Sequence, residues 1–169
     1  MAPASDILKN FNLFVDGRGY AGNVDELTPP TLAITMDDYR GGGMDTSVEV
    51  DMGMEKLETS FSMSKQDADI LKALGGVAGA TIPLTARGAL QSLDGSVTPV
   101  VLRMRGKIRS IDPGTWKAGE KATMAVSVGL TYYEREQGGE TLCKIDVLNR
   151  IREIGGVDQL AEIRAAMGE

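Results

Sequence analysis

Residues 48–55, VEVDMGME, alternate without a slip between apolar and polar positions. Val48, Val50, Met52 and Met54 share one phase, and Glu49, Asp51, Gly53 and Glu55 share the other. A period of two describes a β-strand, with a hydrocarbon face on one side and a row of carboxylates on the other. Like charges at i, i+2 and i+6 repel, so this strand needs a protein surface for its apolar face and either counter-charges or water for its acids.

The same period recurs along the chain. FNLFVDG is a short apolar run closed by the turn dipeptide Asp16-Gly17, and TLAITMDDYR follows Pro29-Pro30, where no helix can continue. LETSFSMS places Leu57, Thr59, Phe61 and Met63 on one face. Residues 81–112 read as two strands joined through Asp94-Gly95. In KATMAVSVGLTYYERE, Ala122, Met124, Val126, Val128, Leu130 and Tyr132 fall in phase, and the opposite face carries the small residues Thr123, Ala125, Ser127, Gly129 and Thr131, open to close approach by another layer. The fold class is therefore mainly β, with one or two short helices.

One helix is expected over 65–74, with Ser64 as N-cap, Asp67 completing a capping-box variant, a narrow stripe of Ile70, Leu71 and Leu74, and Gly75-Gly76 as the stop. A second is expected near the C-terminus, where Leu160, Ile163 and Met167 follow helical spacing. VLNRIREI (147–154) fits a helix by spacing and a strand by β-branched content, and both readings stay open.

Composition narrows the function. The 169 residues carry a net charge of −6, which argues against a protein that grips phosphates. The chain has no histidine, which removes Ser-His-Asp and Cys-His catalysis in their usual form and His-bearing zinc sites. Cys143 is the one cysteine, in a strand-like stretch that suits a buried structural thiol. Asp37 and Asp38 are adjacent, so on a strand they point to opposite faces and cannot converge on one atom. There is no GxxxxGK[ST] loop, apolar membrane span or signal-peptide pattern. The reading is a soluble protein made in a cytoplasm, one domain over 1–169, not an enzyme and without a cofactor or metal.

Two features do not suit a self-contained globule. The first is YRGGGMDTSVEVDMGMEKLE, an arm at about 40–58 rooted in Gly41, Gly42 and Gly43, with Met44, Val48, Val50, Met52 and Met54 as its adaptable apolar surface. The second is VLRMRGKIR, whose Arg103, Arg105, Lys107 and Arg109 form a basic stripe on one strand face. Acidic and basic rows on separate strands raise the prospect of pairing within or between copies.

NLFVDGRGYAG with LTPPTLAI, YRGGGMD with VEVDMGMEKLE, DPGTWKAGEKA, and NRIREIGGVDQLAEIRAAMG occur in the order of four landmarks of one family. The chain resembles, over nearly its whole length, the major tail tube proteins of contractile-tailed phages and R-type pyocins. The resemblance implies an antiparallel β-sandwich or barrel-like subunit with an extended β-hairpin arm. It implies hexameric rings of that subunit stacked into a hollow tube inside a contractile sheath. Its partners would be other copies of itself, the sheath protein, baseplate and tail-terminator proteins, and a tape-measure protein in the lumen. DNA would pass through without specific binding, and there would be no stable membrane association. The particle would be a virion tail or a pyocin, assembled in the bacterial host cytoplasm. On this reading Glu49, Asp51 and Glu55 are candidate lumen-facing acids, and Arg103, Arg105, Lys107 and Arg109 a candidate charge-pairing stripe. The alternative is a monomeric β-sandwich or barrel that binds a small ligand, for which Trp116 is the one candidate anchor, although DPGTWKAG reads more simply as a packed turn.

Overall fold

A computed structural model describes residues 3–20, 23–75 and 81–169. In chain order the elements are β1 (Ile7–Val15), β2 (Arg18–Gly19), β3 (Val24–Thr28), β4 (Ile34–Tyr39), β5 (Val48–Met54), β6 (Glu58–Met63), α1 (Ala68–Lys72), β7 (Ile82–Gln91), β8 (Val97–Asp112), β9 (Met124–Gln137), β10 (Glu140–Asp146), β11 (Ile151–Ile154), β12 (Val157–Asp158) and α2 (Ala161–Ala166). Ten strands make one antiparallel sheet in the order β12-β11-β10-β9-β8-β7-β1-β2, with β6 and β3 branching from β9. Among the described residues β4 and β5 pair only with each other.

The branch explains the shape. β8 runs along one edge of β9, while the other edge carries β6 over Met124–Gly129 and β10 over Tyr132–Gln137. Leu27 of β3 lies with Leu8 and Phe11 of β1, Ala86 of β7 and Leu102 of β8 around a cavity of about 200 Å³, so the β6–β3 branch folds over β1–β7–β8 as a second layer. Between the layers a single core joins Leu13, Phe61, Met63, Ile70, Leu84, Met104, Ile108, Met124, Val126 and Val128. This is the mainly β chain that the alternation predicts, with the two short helices expected from caps and helical spacing, in the sandwich-like arrangement that the family resemblance implies. Leu57, Thr59, Phe61 and Met63 are all buried, and the Thr59 hydroxyl donates to the Thr28 carbonyl at 2.7 Å, so no polar atom is stranded there.

The alternation of β9 holds to Leu130 and then slips. Arg105 pairs with Tyr132 and Gly106 with Leu130, leaving Thr131 as an extra residue. This bulge turns Tyr133 (2% exposed) into the core in place of Tyr132. Gly106 makes the bulge possible, since a Cβ there would stand 2.1 Å from the Gly129 carbonyl oxygen.

The first helix is shorter than expected and starts later. Asp67 is its N-cap, accepting from the Asp69 and Ile70 N–H groups at 2.8 and 3.2 Å. Burial raises the Asp67 pKa, but these N–H bonds and Lys65 outweigh it, and the carboxyl titrates below its usual range. Ser64 instead donates to both carboxylate oxygens of Asp25, at 2.9 and 2.8 Å, so it does not cap the helix. Only Ile70 of the expected stripe is buried, while Leu71 and Leu74 are exposed. Gly75 takes the left-handed conformation (φ +71°), and Gly76 lies outside the described residues. α2 forms where expected but buries none of its residues, and Ile163 and Met167 are open to solvent. Residues 147–150 make a turn and 151–154 a strand, which resolves the ambiguous stretch. Cys143 is buried in β10, and burial raises its thiol pKa.

Candidate assembly surfaces

The hairpin β4–β5 spans Ile34–Met54, so the arm starts earlier and ends earlier than 40–58. The three glycines lie at its tip, not its root. Residues 40–47 form the loop between the strands. There Arg40 Nε donates to the Met44 carbonyl at 3.2 Å, and the Gly41 N–H approaches the Met44 sulfur at 3.1 Å. Gly43 has φ +86°, a conformation that glycine adopts at little cost. A tip that can take such backbone angles looks, in sequence, like a flexible root, because both need glycine.

Directly opposed residues of an antiparallel pair share a face. Tyr39 opposes Val48 and Asp37 opposes Val50, whereas Asp38 opposes Glu49 and Met36 opposes Asp51. Asp37, Tyr39, Val48 and Val50 therefore share one face, apolar but for Asp37, and Met36, Asp38, Glu49 and Asp51 the other. Asp37 and Asp38 diverge as their adjacency requires. The ladder then slips by one residue, so that Ile34 opposes Met54. The slip moves Met54 out of phase with Val48 and Val50 and onto the side of Glu49 and Asp51, which corrects the unbroken alternation read from the sequence. Gly53 (φ +104°) sits at this bulge, with its N–H bonded to Asp51 Oδ1 at 2.8 Å. A glycine inside a strand pattern was the available signal.

Met54 packs against the core, and Asp51 Oδ2 accepts from Arg152 Nη2 of β11 at 2.8 Å. Arg152 is buried, and its donation, followed by the Gly53 N–H, holds the Asp51 carboxyl below its usual pKa. Nothing in the local sequence marks Arg152, which lies 101 residues from Asp51. Glu55 donates its N–H to the Ala33 carbonyl at 2.8 Å and closes the hairpin root. Beyond this root the apolar face is bare: Tyr39 is 60% exposed and Met52 62%, with Val48 and Val50 also exposed.

The basic stripe lies along β8 on the face away from the core, with partners in its own chain. Arg103 bonds Glu136 at 2.8 Å and Glu134 at 3.4 Å, and Arg109, the extra residue of a second bulge, bonds Glu58 at 2.9 Å. That contact, with Lys56 behind it, lowers the Glu58 pKa to about 2. The Arg105 guanidinium stacks on the Tyr132 ring, 4.3 Å from its centre. Burial and the neighbouring Glu134 carboxylate push the Tyr132 pKa up to about 12. The stripe is thus largely a within-sheet network, and the structure does not bring it to the β5 acids. Lys107 is half-buried on the same face.

Trp116 is not packed; it stands 75% exposed on the loop between β8 and β9. Among the described residues no group of three or more His, Cys, Asp or Glu is placed to hold a metal, and no helix is long and apolar enough to cross a membrane.

The hairpin is thus exposed on one face and held to the body by the Asp51–Arg152 ion pair and by Met54. The sequence profile of the family described as phage tail tube protein FII matches residues 5–168. The chain belongs to that family. It is 33% identical over 165 residues to the tail tube protein of Escherichia phage P2, covering 95% of this chain and 96% of that protein. It is 31% identical over 158 residues to the major tail tube protein of Serratia phage KSP20, covering 88% of this chain and 87% of that one. Its fold matches a chain of the cryo-EM structure of an extracellular contractile injection system, the PVC sheath–tube complex in the extended state. The TM-score is 0.58 at 9% identity, over 75% of this chain and 88% of that one. The function is accordingly structural, that of a tail tube protein.

Proposed function

We propose that six copies of this tail tube subunit close into a ring, and that rings stack into a hollow tube inside a contractile sheath, with β4–β5 as the arm that joins one copy to the next. The observation that carries this reading is the hairpin itself. Among the described residues it pairs its backbone with no strand of the body, and its exposed Tyr39, Val48, Val50 and Met52 form a face that another surface can cover. An isolated two-stranded ribbon is marginal in water, so contacts with a neighbour complete its stability. Ring closure also covers sheet edges left open in one copy, such as the N-terminal half of β1. The sheath, the baseplate and tail-terminator proteins and a lumenal tape-measure protein are the partners of such a tube. In a phage particle its bore conducts DNA; in a pyocin-like particle it dissipates the membrane potential.

Within this tube, Glu49 is assigned to the bore together with Asp51, which stays part-exposed beside Arg152, and Val48, Val50 and Met52 to the neighbouring copy. Glu55, expected to share the face of Glu49 and Asp51, lies past the slip and falls on the opposite one. The competing assignment pairs these acids with a neighbour's Arg103, Arg105, Lys107 or Arg109. The bore is favoured because Arg103 and Arg109 already hold Glu134, Glu136 and Glu58, and Arg105 lies on Tyr132. An acidic wall repels a polyanion within a Debye length of about 8 Å, so DNA slides without counterion-release binding. The test is to replace residues 35–53 by Asn-Gly, a two-residue turn suited to joining the opposed Ile34 and Met54. The expected product is folded by circular dichroism and forms no tubes in negative stain. Normal tubes from it would refute the arm.

A further inference from the structure

Trp116 is the sole tryptophan and the most exposed large apolar side chain among the described residues. Its loop is held at its base. The Gly114 N–H donates to Asp112 Oδ1 at 2.9 Å, and Gly114 (φ +79°) sits so close to Thr123 that a Cβ would lie 2.6 Å from the Thr123 carbonyl oxygen. Gln66 Nε2 donates to the Pro113 carbonyl at 3.2 Å, tying the loop to the segment before α1. A large aromatic presented on a braced loop loses little freedom on docking, which is the character of an interface anchor.

The loop and the arm lie at opposite ends of the same strand pair. β6 runs from Glu58, beside the arm root, to Met63, beside Ser64 and the Trp116 loop; β9 runs the other way, from Met124 to Leu130. Five intervals at 3.3–3.4 Å separate the two ends of β6 by roughly 17 Å. At the arm end, Met54, Leu57, Leu130, Ile145, Val147 and Leu160 line an apolar groove of about 320 Å³, room enough for an indole. A tube that grows by repeating one chain joins unlike surfaces from one layer to the next, so one end of the subunit must fit the other.

We infer that Trp116 of one copy seats in the Met54–Leu57–Leu130 groove of a copy in the next layer, beside the root of its arm. The inference rests on the stacked-tube reading above. It makes the Trp116 loop and the arm root two halves of one axial joint.

The experiment uses the whole chain without sheath and the natural fluorescence of Trp116. In unassembled subunits the emission is that of a water-exposed indole, readily quenched by acrylamide. In tubes grown from the same protein the emission moves to shorter wavelength and the quenching falls several-fold. Trp116→Ala raises the concentration needed for tube growth by about thirtyfold, the ratio for losing a hot-spot aromatic. Val147→Asp, at an exposed position of the groove, leaves the free subunit's spectrum unchanged and raises that concentration to a similar degree. The double variant is no worse than either single one, because both remove the same contact. Sheath-free tubes whose Trp116 stays as quenchable as in free subunits would overturn the joint and leave the tube reading standing. So would protection that appears only when sheath protein is added, or additive effects of the two substitutions. A chain that forms no tubes at all would overturn both.

Discussion

Gly106 and Gly129 stand close across the β8–β9 ladder, and the structure predicts opposite responses to the same substitution. In Gly106→Ala the new methyl would lie 2.1 Å from the Gly129 carbonyl oxygen and 2.9 Å from both the Gly129 carbonyl carbon and Leu130 Cα. All three are backbone atoms in the middle of the largest sheet, so no side chain can rotate aside. Overpacking of a core costs typically 1–3 kcal/mol, and contact with a fixed backbone belongs at the upper end, about 3 kcal/mol. Moving the ladder apart adds the loss of one or two backbone bonds at about 1 kcal/mol each, for a total of about 4 kcal/mol. Against a domain stability of about 5–15 kcal/mol this is a large fraction. At 2–4 °C per kcal/mol for a chain of this size, the melting temperature falls by about 10 °C.

Gly129→Ala is the control. Its Cβ meets nothing within 4 Å, and it points to the small-residue face with Ala125 and Ser127. Alanine in a strand is easier to order than glycine, so this variant is neutral or more stable by about 0.5 kcal/mol. Urea melts of the unassembled subunits followed by circular dichroism give both values, with unchanged slopes expected for a two-state loss of stability. A Gly106→Ala subunit within about 1 kcal/mol of the parent would refute the reasoning, as would a Gly129→Ala subunit equally damaged; both compare with the overpacking range.

Two further changes probe the arm. Glu49→Lys leaves tubes intact and slows DNA passage if the acids face the bore; assembly that fails and is restored by adding Arg103→Glu would overturn that assignment. Asp51→Asn removes the charge held by Arg152 and loosens the hairpin root, seen as faster hydrogen exchange of β4 and β5 amides while β8 and β9 amides keep their rates. Because the Asp51 pKa is depressed in the folded chain, the contribution of this contact is present above the ordinary value of 3.8 and is lost as pH falls below it through the folded value. Exchange in the hairpin that does not respond to the substitution would show that the root is held by Met54 alone.

The body of this fold was legible because its strands bury one face each. Leu57, Thr59, Phe61 and Met63 announce a core face by period alone, and the structure buries all four. What was not legible is where the period slips. Thr131 and Gly53 each shift a strand by one residue, and each sends a side chain to the opposite face, Tyr133 into the core and Met54 to the acidic side. A slip is decided by the partner strand: at Gly106 the neighbour comes too close for any Cβ, a fact about β8 that β9 alone cannot express. Helix caps fail to read for a related reason. Ser64 and Asp67 are both competent caps, and the choice fell to Asp67 because Asp25, far back in β3, engages the serine hydroxyl.

The arm shows the limit most clearly. Its alternation is the strongest in the chain, yet among the described residues β4 and β5 bury almost nothing in their own subunit, so the pattern is not explained by the subunit's own core. Within one copy the Val48–Met52 face is exposed and apolar except for Asp37 opposite Val50, a hazard for aggregation. The acids of the same strand limit that hazard, since Glu49 and Asp51 with Asp38 across from them resist indiscriminate pairing of ribbon with ribbon. A partner must then supply an apolar surface to one face while leaving the other to water or to Arg152. If the hairpin docks as proposed, Glu49 and Asp38 would also hinder ribbon-to-ribbon pairing of free subunits before any tube forms.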